Sequence, residues 1–263
     1  MKTITSVIGQ SLEFAHIIYD KPQYLNITRH SHNDYELLYF VKGNATYTIE
    51  DRSYELKRNS LIIIRPKLSL FITFNSPDRY ERFTLNFNGS ILPEKLRQLP
   101  DSLEVLNLAE NNIIGDCFRR MDYYVENVSE EFVEDVLSGL IKEIFYNIKI
   151  SSDALSALPV NSNQHISKAL EYINANLFSI KSIQEVCDAL FLSREYFFTL
   201  FKEELHVTPK HYILEKRMLY AHEQILLGKK MSEVAKNSGF SCYSSFYRNY
   251  VKFFGSNDRR PET

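Results

Sequence analysis

Three side chains in the N-terminal half have types and spacing that suit metal coordination or hydrogen bonding to a polar ligand. They are His30, His32 and Glu36, which form the pattern His-x-His-x-x-x-Glu. Alternate residues of a strand point to the same side, so the two histidines can converge on Glu36 from a neighbouring segment. Imidazole nitrogens and carboxylate oxygens bind transition metals, and the same groups hydrogen-bond hydroxyls. The pattern is therefore typical of a metal centre, an effector site or a set of structural polar residues.

Tyrosines elsewhere in this half favour an organic effector. Tyr24, Tyr39 and Tyr47 supply aromatic faces that suit sugar rings, and Glu36 supplies an acceptor for sugar hydroxyls. We therefore predict that a small molecule, with a carbohydrate as one candidate, binds among these residues and the two histidines. The alternative is that they only hydrogen-bond and pack in the mouth of a barrel, as most of the chain's 17 tyrosines need do no more than pack.

A second group of candidate residues lies in an internal repeat. Residues 183–193 match residues 231–241 at an offset of 48, and the residues that follow match at an offset of 49. Each copy predicts a short helix, a tight turn and a second helix that a serine hydroxyl can cap. This is the helix-turn-helix pattern, and two copies predict two DNA-reading units.

Each second helix has an apolar face and an outward face at 100° per residue. The inward residues are Phe197, Leu200, Phe201 and the stem of Glu204 in the first copy, and Phe246, Asn249, Tyr250 and Phe253 in the second. The outward faces, which include Val251, and the helix starts supply the predicted DNA contacts. These are Arg194, Glu195, Phe198, Thr199, Lys202, Tyr243, Ser244, Tyr247, Arg248 and Lys252.

Arg248 is the leading candidate for reading a base, because a guanidinium can donate to the O6 and N7 atoms of guanine in parallel. Arg194 and Lys202 are expected on phosphates. The alternative for every outward residue is that it is only solvated.

One long helix is predicted between the two units. Thr208 can cap it, Pro209 suits its first turn and Gly228 its end, so it should run over residues 209–227. At ~1.5 Å per residue, its length is roughly 28 Å. Successive faces of the major groove recur about 34 Å apart, so such a helix could hold two reading helices on neighbouring turns of one DNA face.

Aromatic and β-branched residues that alternate with polar ones predict an antiparallel barrel or sandwich between Phe14 and Phe87. The clearest strands are residues 35–41, 45–50, 61–65, 70–74 and 82–87, and the segments 42–44, 50–52, 66–67 and 76–78 suit hairpin turns. Beyond Gly89 the period becomes helical and predicts two amphipathic helices. These helices could cover the barrel or pair with a second copy, and we expect a partial role in a homodimer.

The small, polar, proline-containing stretch at residues 151–163 is typical of a linker. It separates a predicted effector-sensing and dimerisation domain, residues 1–150, from a DNA-binding domain, residues 164–263. Residues 161–263 carry 14 basic and 11 acidic side chains, whereas the whole chain carries 31 and 33. The positive excess thus lies where the DNA contacts are predicted.

Composition excludes several function classes. No apolar run approaches the roughly 18 residues of a membrane span and the N-terminus has no secretion signal, so a cytoplasmic protein without a membrane partner is expected. The three cysteines are far apart and form no C-x-x-C pair, which indicates neither disulfides nor a zinc knuckle. With eight glycines and no Walker-type or catalytic-triad pattern, neither an enzyme nor a bound cofactor is expected.

Over roughly residues 164–255 the sequence resembles the AraC/XylS family of bacterial regulators. The motifs that carry the resemblance are Leu192-Ser193-x-x-Tyr196-Phe197-x-x-x-Phe201-Lys202, Arg217-x-x-x-Ala221, Gly239-Phe240 and Phe246-x-Arg248-x-Tyr250. The resemblance implies a seven-helix domain that binds double-stranded promoter operator DNA and activates transcription through RNA polymerase.

The chain departs from the family pattern at two places. Residues 255–261 replace the usual Ser/Thr-Pro-x-x-Tyr-Arg segment, so the closing helix is expected to be short or missing. Val251 stands where the family often has lysine, which predicts one weaker contact to the DNA backbone.

The His-x-His-x-x-x-Glu pattern, with Gly43 seven residues after Glu36, resembles the first motif of cupin barrels. A metal-binding cupin takes another histidine from a second motif, but residues 42–109 contain none, so no metal is expected. The predicted fold is α+β in two domains, a cupin-like antiparallel β-barrel with amphipathic helices and an all-α double helix-turn-helix domain. The leading function is a regulator that responds to a small molecule. The alternatives are a regulator without such control and a metal-dependent cupin enzyme with an accessory DNA-binding domain.

Overall fold

A computed structural model describes residues 2–22, 29–99, 103–110, 112–155 and 163–255 of the chain. The chain forms two compact units, residues 1–161 and residues 162–263, and the division falls inside the stretch predicted as a linker. Within the described ranges, no helix has both the length and the apolar composition that a membrane span requires.

The N-terminal unit is built on two antiparallel sheets. The six-stranded sheet contains, in spatial order, β1 (Lys2–Ile8), β2 (Leu12–Tyr19), β9 (Tyr80–Phe87), β4 (Tyr35–Lys42), β7 (Ser60–Ile64) and β10 (Val105–Asn107). The four-stranded sheet contains β3 (His30–Ser31), β8 (Ser69–Phe74), β5 (Ala45–Ile49) and β6 (Arg52–Glu55). The five strands that were clearest in the sequence are β4, β5, β7, β8 and β9, and the predicted antiparallel β-barrel is confirmed.

Three of the four predicted hairpin turns are connections between the two sheets. Residues 50–52 join strands that pair with each other, β5 and β6. Strand β4 pairs with β7 and β9, and β8 pairs with β3 and β5, so the turns at 42–44, 66–67 and 76–78 each carry the chain from one sheet to the other. Turn residues specify that the chain reverses, but they do not specify which strand it then pairs with.

The two faces of the six-stranded sheet pack against different layers. Leu38 and Phe40 of β4 face the four-stranded sheet and belong to the inner core, whereas Leu37 and Tyr39 belong to the outer core. Helices α1 (Glu94–Arg97), α2 (Ile113–Asn127) and α3 (Glu130–Leu155) complete this outer core. The helices therefore cover the barrel, which is one of the two roles predicted for them. Helix α3 extends five residues into the predicted linker, because residues 151–155 contain neither glycine nor proline.

The C-terminal unit has two small cores that share one helix. Within residues 163–255 the helices are α4 (Gln164–Ala175), α5 (Ile183–Ala189), α6 (Arg194–Leu205), α7 (Pro209–Leu226), α8 (Met231–Asn237) and α9 (Tyr243–Phe254). Tyr212 at the start of α7 packs with α4, α5 and α6, whereas Met218 further along packs with α8 and α9. The all-α domain is thus confirmed. The predicted closing helix concerns residues beyond 255, which lie outside the described residues.

Candidate DNA interface and effector site

The first helix-turn-helix unit consists of α5 and α6. The turn between these helices places Phe191 in the left-handed backbone region, with a φ of 58°. Ser193 then caps α6 as predicted, since its Oγ accepts a hydrogen bond from the backbone N of Tyr196 at 3.3 Å. Phe197 and Phe201 are fully buried, which fixes the rotation of α6 and turns its opposite face outward.

The outward face of α6 agrees with the helical period at four of the predicted positions. Arg194, Glu195, Thr199 and Lys202 are exposed. Phe198, however, is half-buried against the core and lies under the guanidinium of Arg194, which is 5.4 Å from the ring centroid. Glu204 was expected along the core but is exposed, because Leu205 occupies the core position at that level. Phe198 therefore packs between the core and the guanidinium of Arg194 and does not project outward as predicted.

The second unit consists of α8 and α9 and repeats the geometry of the first. Gly239 has a φ of 75° at the position that corresponds to Phe191. The predicted serine cap is wrong here, because the residue inserted in the turn moves Ser241 one position away from the helix. Cys242 precedes α9 instead, and its side chain makes no capping hydrogen bond.

The outward face of α9 presents aromatic and basic groups together. Tyr243, Ser244, Tyr247, Arg248 and Lys252 are all exposed, whereas Val251, also predicted outward, is half-buried. The rings of Tyr243 and Tyr247 stack with their centroids 6.0 Å apart, and Arg248 Nε donates to the carbonyl oxygen of Ser244 at 3.4 Å. Hydroxyl donors and two cations on one helix face suit phosphate oxygens and base edges.

Arg217 on α7 connects the two helix-turn-helix units of the C-terminal domain. Its Nε donates to the carbonyl oxygen of Leu177 at 2.8 Å, and its Nη2 donates to that of Ile180 at 2.6 Å, both between α4 and α5. Its Nη1 donates to the carbonyl oxygen of Gly239 at 2.8 Å, in the turn of the second unit. Burial lowers the pKa of Arg217, but a guanidinium stays charged in proteins. One side chain thus holds the segment that leads into α5 and the turn of the second helix-turn-helix unit in fixed positions.

Inside the N-terminal barrel, Glu36 is a buried carboxylate next to the two histidines. Its side chain is 7% exposed and that of His32 is 37% exposed, with His32 Nε2 at 3.6 Å from Glu36 Oε2. Burial lowers the pKa of His32, and the charge of Glu36 offsets this only in part, so the imidazole is neutral near pH 7. The rings of His30 and His32 meet edge to face at 5.0 Å. Glu36 is therefore a buried carboxylate of the barrel interior whose nearest charged or ionisable neighbour is the more exposed His32.

A buried guanidinium lies in the same barrel. Arg82 on β9 donates from Nη1 to the hydroxyl of Tyr47 at 2.5 Å, and that hydroxyl is 3.1 Å from the hydroxyl of Tyr80. The guanidinium also lies 6.0 Å from the ring centroid of Tyr19. Burial raises the pKa of both Tyr47 and Tyr80, so both hydroxyls stay protonated. The barrel thus combines opposite charges with neutral hydroxyls.

The predicted effector residues do not all lie together. His30, His32, Glu36 and Tyr47 line the barrel interior, but Tyr39 lies on the other face of β4. There its hydroxyl donates to Asn59 Oδ1 at 3.0 Å and its ring stacks on Phe118 at 5.3 Å. Tyr39 is three residues from Glu36, and an odd separation on a strand reverses the side. Tyr24 lies outside the described residues.

Sequence reasoning missed Arg82, Tyr80 and Asn86, which face the barrel interior from β9. The signal was present, because residues 82, 84 and 86 alternate with apolar residues. This alternation was interpreted as a strand with one face in solvent, so its polar residues were not predicted to face the barrel interior. Donor atoms of His30, His32 and Glu36 lie within 4.8 Å of one another, a spacing that could also hold a divalent cation.

Comparison with known proteins matches both halves of the chain. A model described as an AraC-like ligand binding domain matches residues 12–122, and a model described as a helix-turn-helix domain matches residues 186–257. Relatives align along most of the chain. The "Probable transcriptional regulator LumQ" of Photobacterium leiognathi is 23% identical, over 89% of this chain and 91% of its own.

Two further relatives are named for sugar operons. The raffinose operon regulatory protein RafR of Pediococcus pentosaceus is 22% identical, over 89% of this chain and 87% of its own. The lactose operon transcription activator of Staphylococcus xylosus is 19% identical, over 81% of this chain and 78% of its own. With the barrel, the double helix-turn-helix unit and both matching models, the chain belongs to the AraC/XylS family of transcription regulators and is not an enzyme.

Proposed function

We propose that this regulator reads two adjacent segments of one operator through α6 and α9 and that a small molecule in the barrel controls this reading. The observation that carries the proposal is the link made by Arg217. Because this side chain ties the α4–α5 segment to the turn of the second unit, the two reading helices behave as one rigid reader.

The spacing of the two helix-turn-helix units suits neighbouring turns of a duplex. Helix α7 has 18 residues, which corresponds to roughly 27 Å, and successive major-groove faces recur about 34 Å apart. The exposed residues of α6 and α9 provide cations at both ends of this span, Arg194 and Lys202 at one end and Arg248 and Lys252 at the other. Arg248 is proposed to read a base, and the other three are proposed to hold phosphates.

Hydroxyl-radical footprinting of the full chain on the DNA that flanks its own coding region tests this proposal. We expect two protected segments one helical turn apart, with an affinity that falls steeply as salt is raised. A single protected segment would reject the two-headed reader. A chain that binds no duplex with salt-sensitive affinity would reject DNA reading altogether.

The proposal includes a homodimer formed through α3. Phe132, Tyr146 and Ile150 are 54%, 55% and 83% exposed, and they fall within about 40° of one another at 100° per residue. Gly139 lies on the same stripe, where an added Cβ would meet no atom within 4 Å. These exposed apolar side chains, with the Arg120-paired Glu143 between them, are proposed to pack against the same helix of a second chain. Sedimentation of the full chain should give a dimer, and Ile150→Glu should give a monomer.

Effector control and activation complete the proposal. Binding in the barrel is proposed to shift the dimer state or the geometry of the reading helices, which is a coupling between two sites. Carbohydrates are the leading effector class, which the sugar-operon names of two relatives support. Activation is proposed to proceed through contact with RNA polymerase in the cytoplasm. Transcription in vitro from the footprinted promoter, with and without the effector, measures both effects.

A further inference from the structure

The two reading helices carry different charges on their exposed faces. Helix α6 has two basic and three acidic residues, whereas α9, which is equally long, has two basic residues and no acidic one. All of these charged side chains are exposed, and the acids of α6 are Glu195, Glu203 and Glu204. A cation on such a face gains affinity from phosphates and an anion loses it. An acid on α6 therefore opposes DNA binding unless it meets a hydrogen-bond donor.

Glu195 is the acid at the N-terminal end of α6. It is the second residue of the helix, and Ser193 caps that end. Recognition helices contact base edges chiefly with their N-terminal residues. Glu195, Thr199 and Lys202 fall within about 60° of one another at 100° per residue, on the side opposite the buried Phe197. The carboxylate of Glu195 thus lies on the surface that faces the bases in the proposed reading.

The other two acids lie in the last turn of α6. Glu204 Oε1 accepts a hydrogen bond from Asn163 Nδ2 at 3.2 Å, at the start of α4. Glu195 differs, because within residues 163–255 no side chain forms an ion pair with its carboxylate. The adjacent Arg194 lies over the ring of Phe198 instead. The Glu195 carboxylate is therefore available to accept a hydrogen bond from a ligand.

A carboxylate on this face discriminates between bases. It only accepts hydrogen bonds, and the donors that bases present in the major groove are the exocyclic amines of cytosine and adenine. Guanine and thymine present acceptor oxygens, which repel a carboxylate. Adenine presents the acceptor N7 beside its amine, so the N4 amine of cytosine suits a carboxylate best. Any other base at that position leaves the anion unpaired among phosphates.

The second helix-turn-helix unit has no counterpart of this carboxylate. The offset of 49 residues places Ser244 at the position of Glu195 and Arg248 at that of Thr199. Serine and threonine hydroxyls both donate and accept, so they tolerate several bases. The two units thus carry their selective residues at different positions of the reading helix and with opposite charge. The two segments of one operator should accordingly differ in sequence.

An acid in the first turn of a helix also interacts favourably with the helix dipole. Glu185 in α5 and Glu233 in α8 occupy such positions as well. This interaction stabilises the fold whatever the DNA sequence, so it predicts a change in stability and none in base preference. Helix α9 begins without an acid, so a reading helix of this chain does not require one.

Resting on the proposed reading of two segments by α6 and α9, we infer that Glu195 is a specificity-determining residue of the first helix-turn-helix unit. Its carboxylate accepts a hydrogen bond from the N4 amine of a cytosine in the segment that α6 reads. Where that cytosine is missing, the same carboxylate is repelled by the phosphates and lowers the affinity for unrelated DNA.

Selection from a pool of random-sequence duplexes by the full chain tests this inference, followed by anisotropy titration of four duplexes that differ at one position. The wild type should prefer cytosine at one position of the segment read by α6 by about tenfold. Glu195→Gln should lose this preference and gain one for adenine, because an amide can pair with N6 and N7 together. Glu195→Ala should prefer no base there and should bind unrelated duplexes about fivefold more tightly.

Glu203→Gln removes the same charge from the last turn of α6 and is the matched control. It should leave the base preference at every position unchanged. The position that responds to Glu195→Gln should lie in the segment that does not respond to Arg248→Ala. Urea unfolding of each variant measures the dipole contribution separately, which lowers stability without changing a base preference.

The inference is overturned if the wild type selects no cytosine in the segment read by α6, or if Glu195→Gln lowers stability but keeps the wild-type base preference. It is also overturned if Glu203→Gln changes that preference as strongly. A chain that protects two segments and yet fails these tests keeps the proposed function and loses this inference. A chain that binds no duplex from the pool rejects both.

Discussion

Arg217 Nη1 donates to the carbonyl oxygen of Gly239 at 2.8 Å, and this hydrogen bond joins the middle of α7 to the turn between α8 and α9. The remaining donors of the same guanidinium hold Leu177 and Ile180 between α4 and α5. A planar fork with five N–H donors can serve three carbonyls at once, which an ammonium group on a flexible stem cannot do in fixed geometry. The two reading units are therefore coupled through one side chain as well as through α7.

Replacement of Arg217 by Met should remove this coupling. Three carbonyl oxygens lose a charged donor, so we expect the free energy of unfolding of the full chain to fall by about 2 to 4 kcal/mol. Affinity for an operator with both segments should fall more than affinity for a single segment. Urea unfolding and fluorescence anisotropy measure the two effects. Lys210→Met, at an exposed position of the same helix, is the control and should change neither quantity. Equal losses on one and two segments would contradict a coupling role.

Gly239 should tolerate no side chain. Its φ is 75°, and an added Cβ would lie 2.8 Å from Arg217 Cζ and 2.8 Å from the carbonyl oxygen of Phe178. Gly239→Ala therefore adds a steric clash to the strain of the left-handed region, and we expect a loss of about 2 kcal/mol or more in unfolding free energy. Gly228→Ala is a matched control, because its φ is 84° but nothing lies within 4 Å of the added Cβ. It should cost about 1 kcal/mol. Similar losses for both variants in urea unfolding would show that the contact with Arg217 is unimportant.

Phe191 should be replaceable by glycine with a gain in stability. It has a φ of 58° and is 96% exposed, so its side chain contributes strain to the turn but little packing. Relief of the left-handed strain outweighs the greater flexibility of glycine in the unfolded chain, and we expect Phe191→Gly to stabilise by about 0.5 to 1 kcal/mol. Phe191→Ala keeps the Cβ and should bring no such gain. A Phe191→Gly chain that unfolds at a lower urea concentration than the wild type would mean that the exposed ring makes a stabilising contact.

The helix-turn-helix units could be predicted from sequence because their signals are local. A serine at the start of α6, Thr208 and Pro209 at the start of α7 and the left-handed glycine at 239 each act within one turn of backbone. The same locality explains the errors. One inserted residue moved Ser241 off the start of α9, and Leu205 displaced Glu204 from the core of α6.

The barrel was harder to predict because both faces of its six-stranded sheet are buried, one by the helices and the other by the four-stranded sheet. On β9, apolar Phe83 and Phe87 face the helices, while Arg82 and Asn86 face the inside of the barrel. Alternation identifies a strand, but it does not tell that the polar side is also enclosed by a second sheet. The sequence did contain enough to exclude Tyr39 from the barrel interior, since it is an odd number of residues from Glu36.

Arg248→Ala should weaken binding to the specific operator by ~1 to 3 kcal/mol and leave binding to unrelated duplexes nearly unchanged, because a bidentate contact to guanine discriminates between bases. The arginine is exposed on α9 and is held along the helix through Ser244. Lys252→Ala on the same helix should weaken both kinds of binding alike, as expected of a phosphate contact. Anisotropy titrations against both duplexes at fixed salt separate the two roles. An equal loss for Arg248→Ala on both duplexes would reassign it to a phosphate.

The stability of the N-terminal unit should depend on pH through His16. Its Nδ1 is 2.6 Å from Asp122 Oδ2 on α2, and its Nε2 is 3.2 Å from Glu81 Oε1 on β9. Burial opposes the charge on His16, but the hydrogen bonds and charges of Asp122 and Glu81 outweigh it and raise the pKa above its ordinary value of 6.5. Only an imidazolium donates to both carboxylates at once, so the charged form ties β2 to α2 and β9.

The sign of this dependence follows from the raised pKa. The folded state binds the proton more tightly than the unfolded state, so the stabilisation is fully present below pH 6.5 and is lost as the pH rises through the folded pKa. Urea midpoints of the full chain should therefore fall across the pH window that begins near pH 6.5 and extends upward through the raised folded pKa. His16→Gln should flatten this part of the profile, and so should Asp122→Asn, which removes the nearer carboxylate. A wild-type midpoint that stays level or rises across this window would show that the histidine is held in its neutral form.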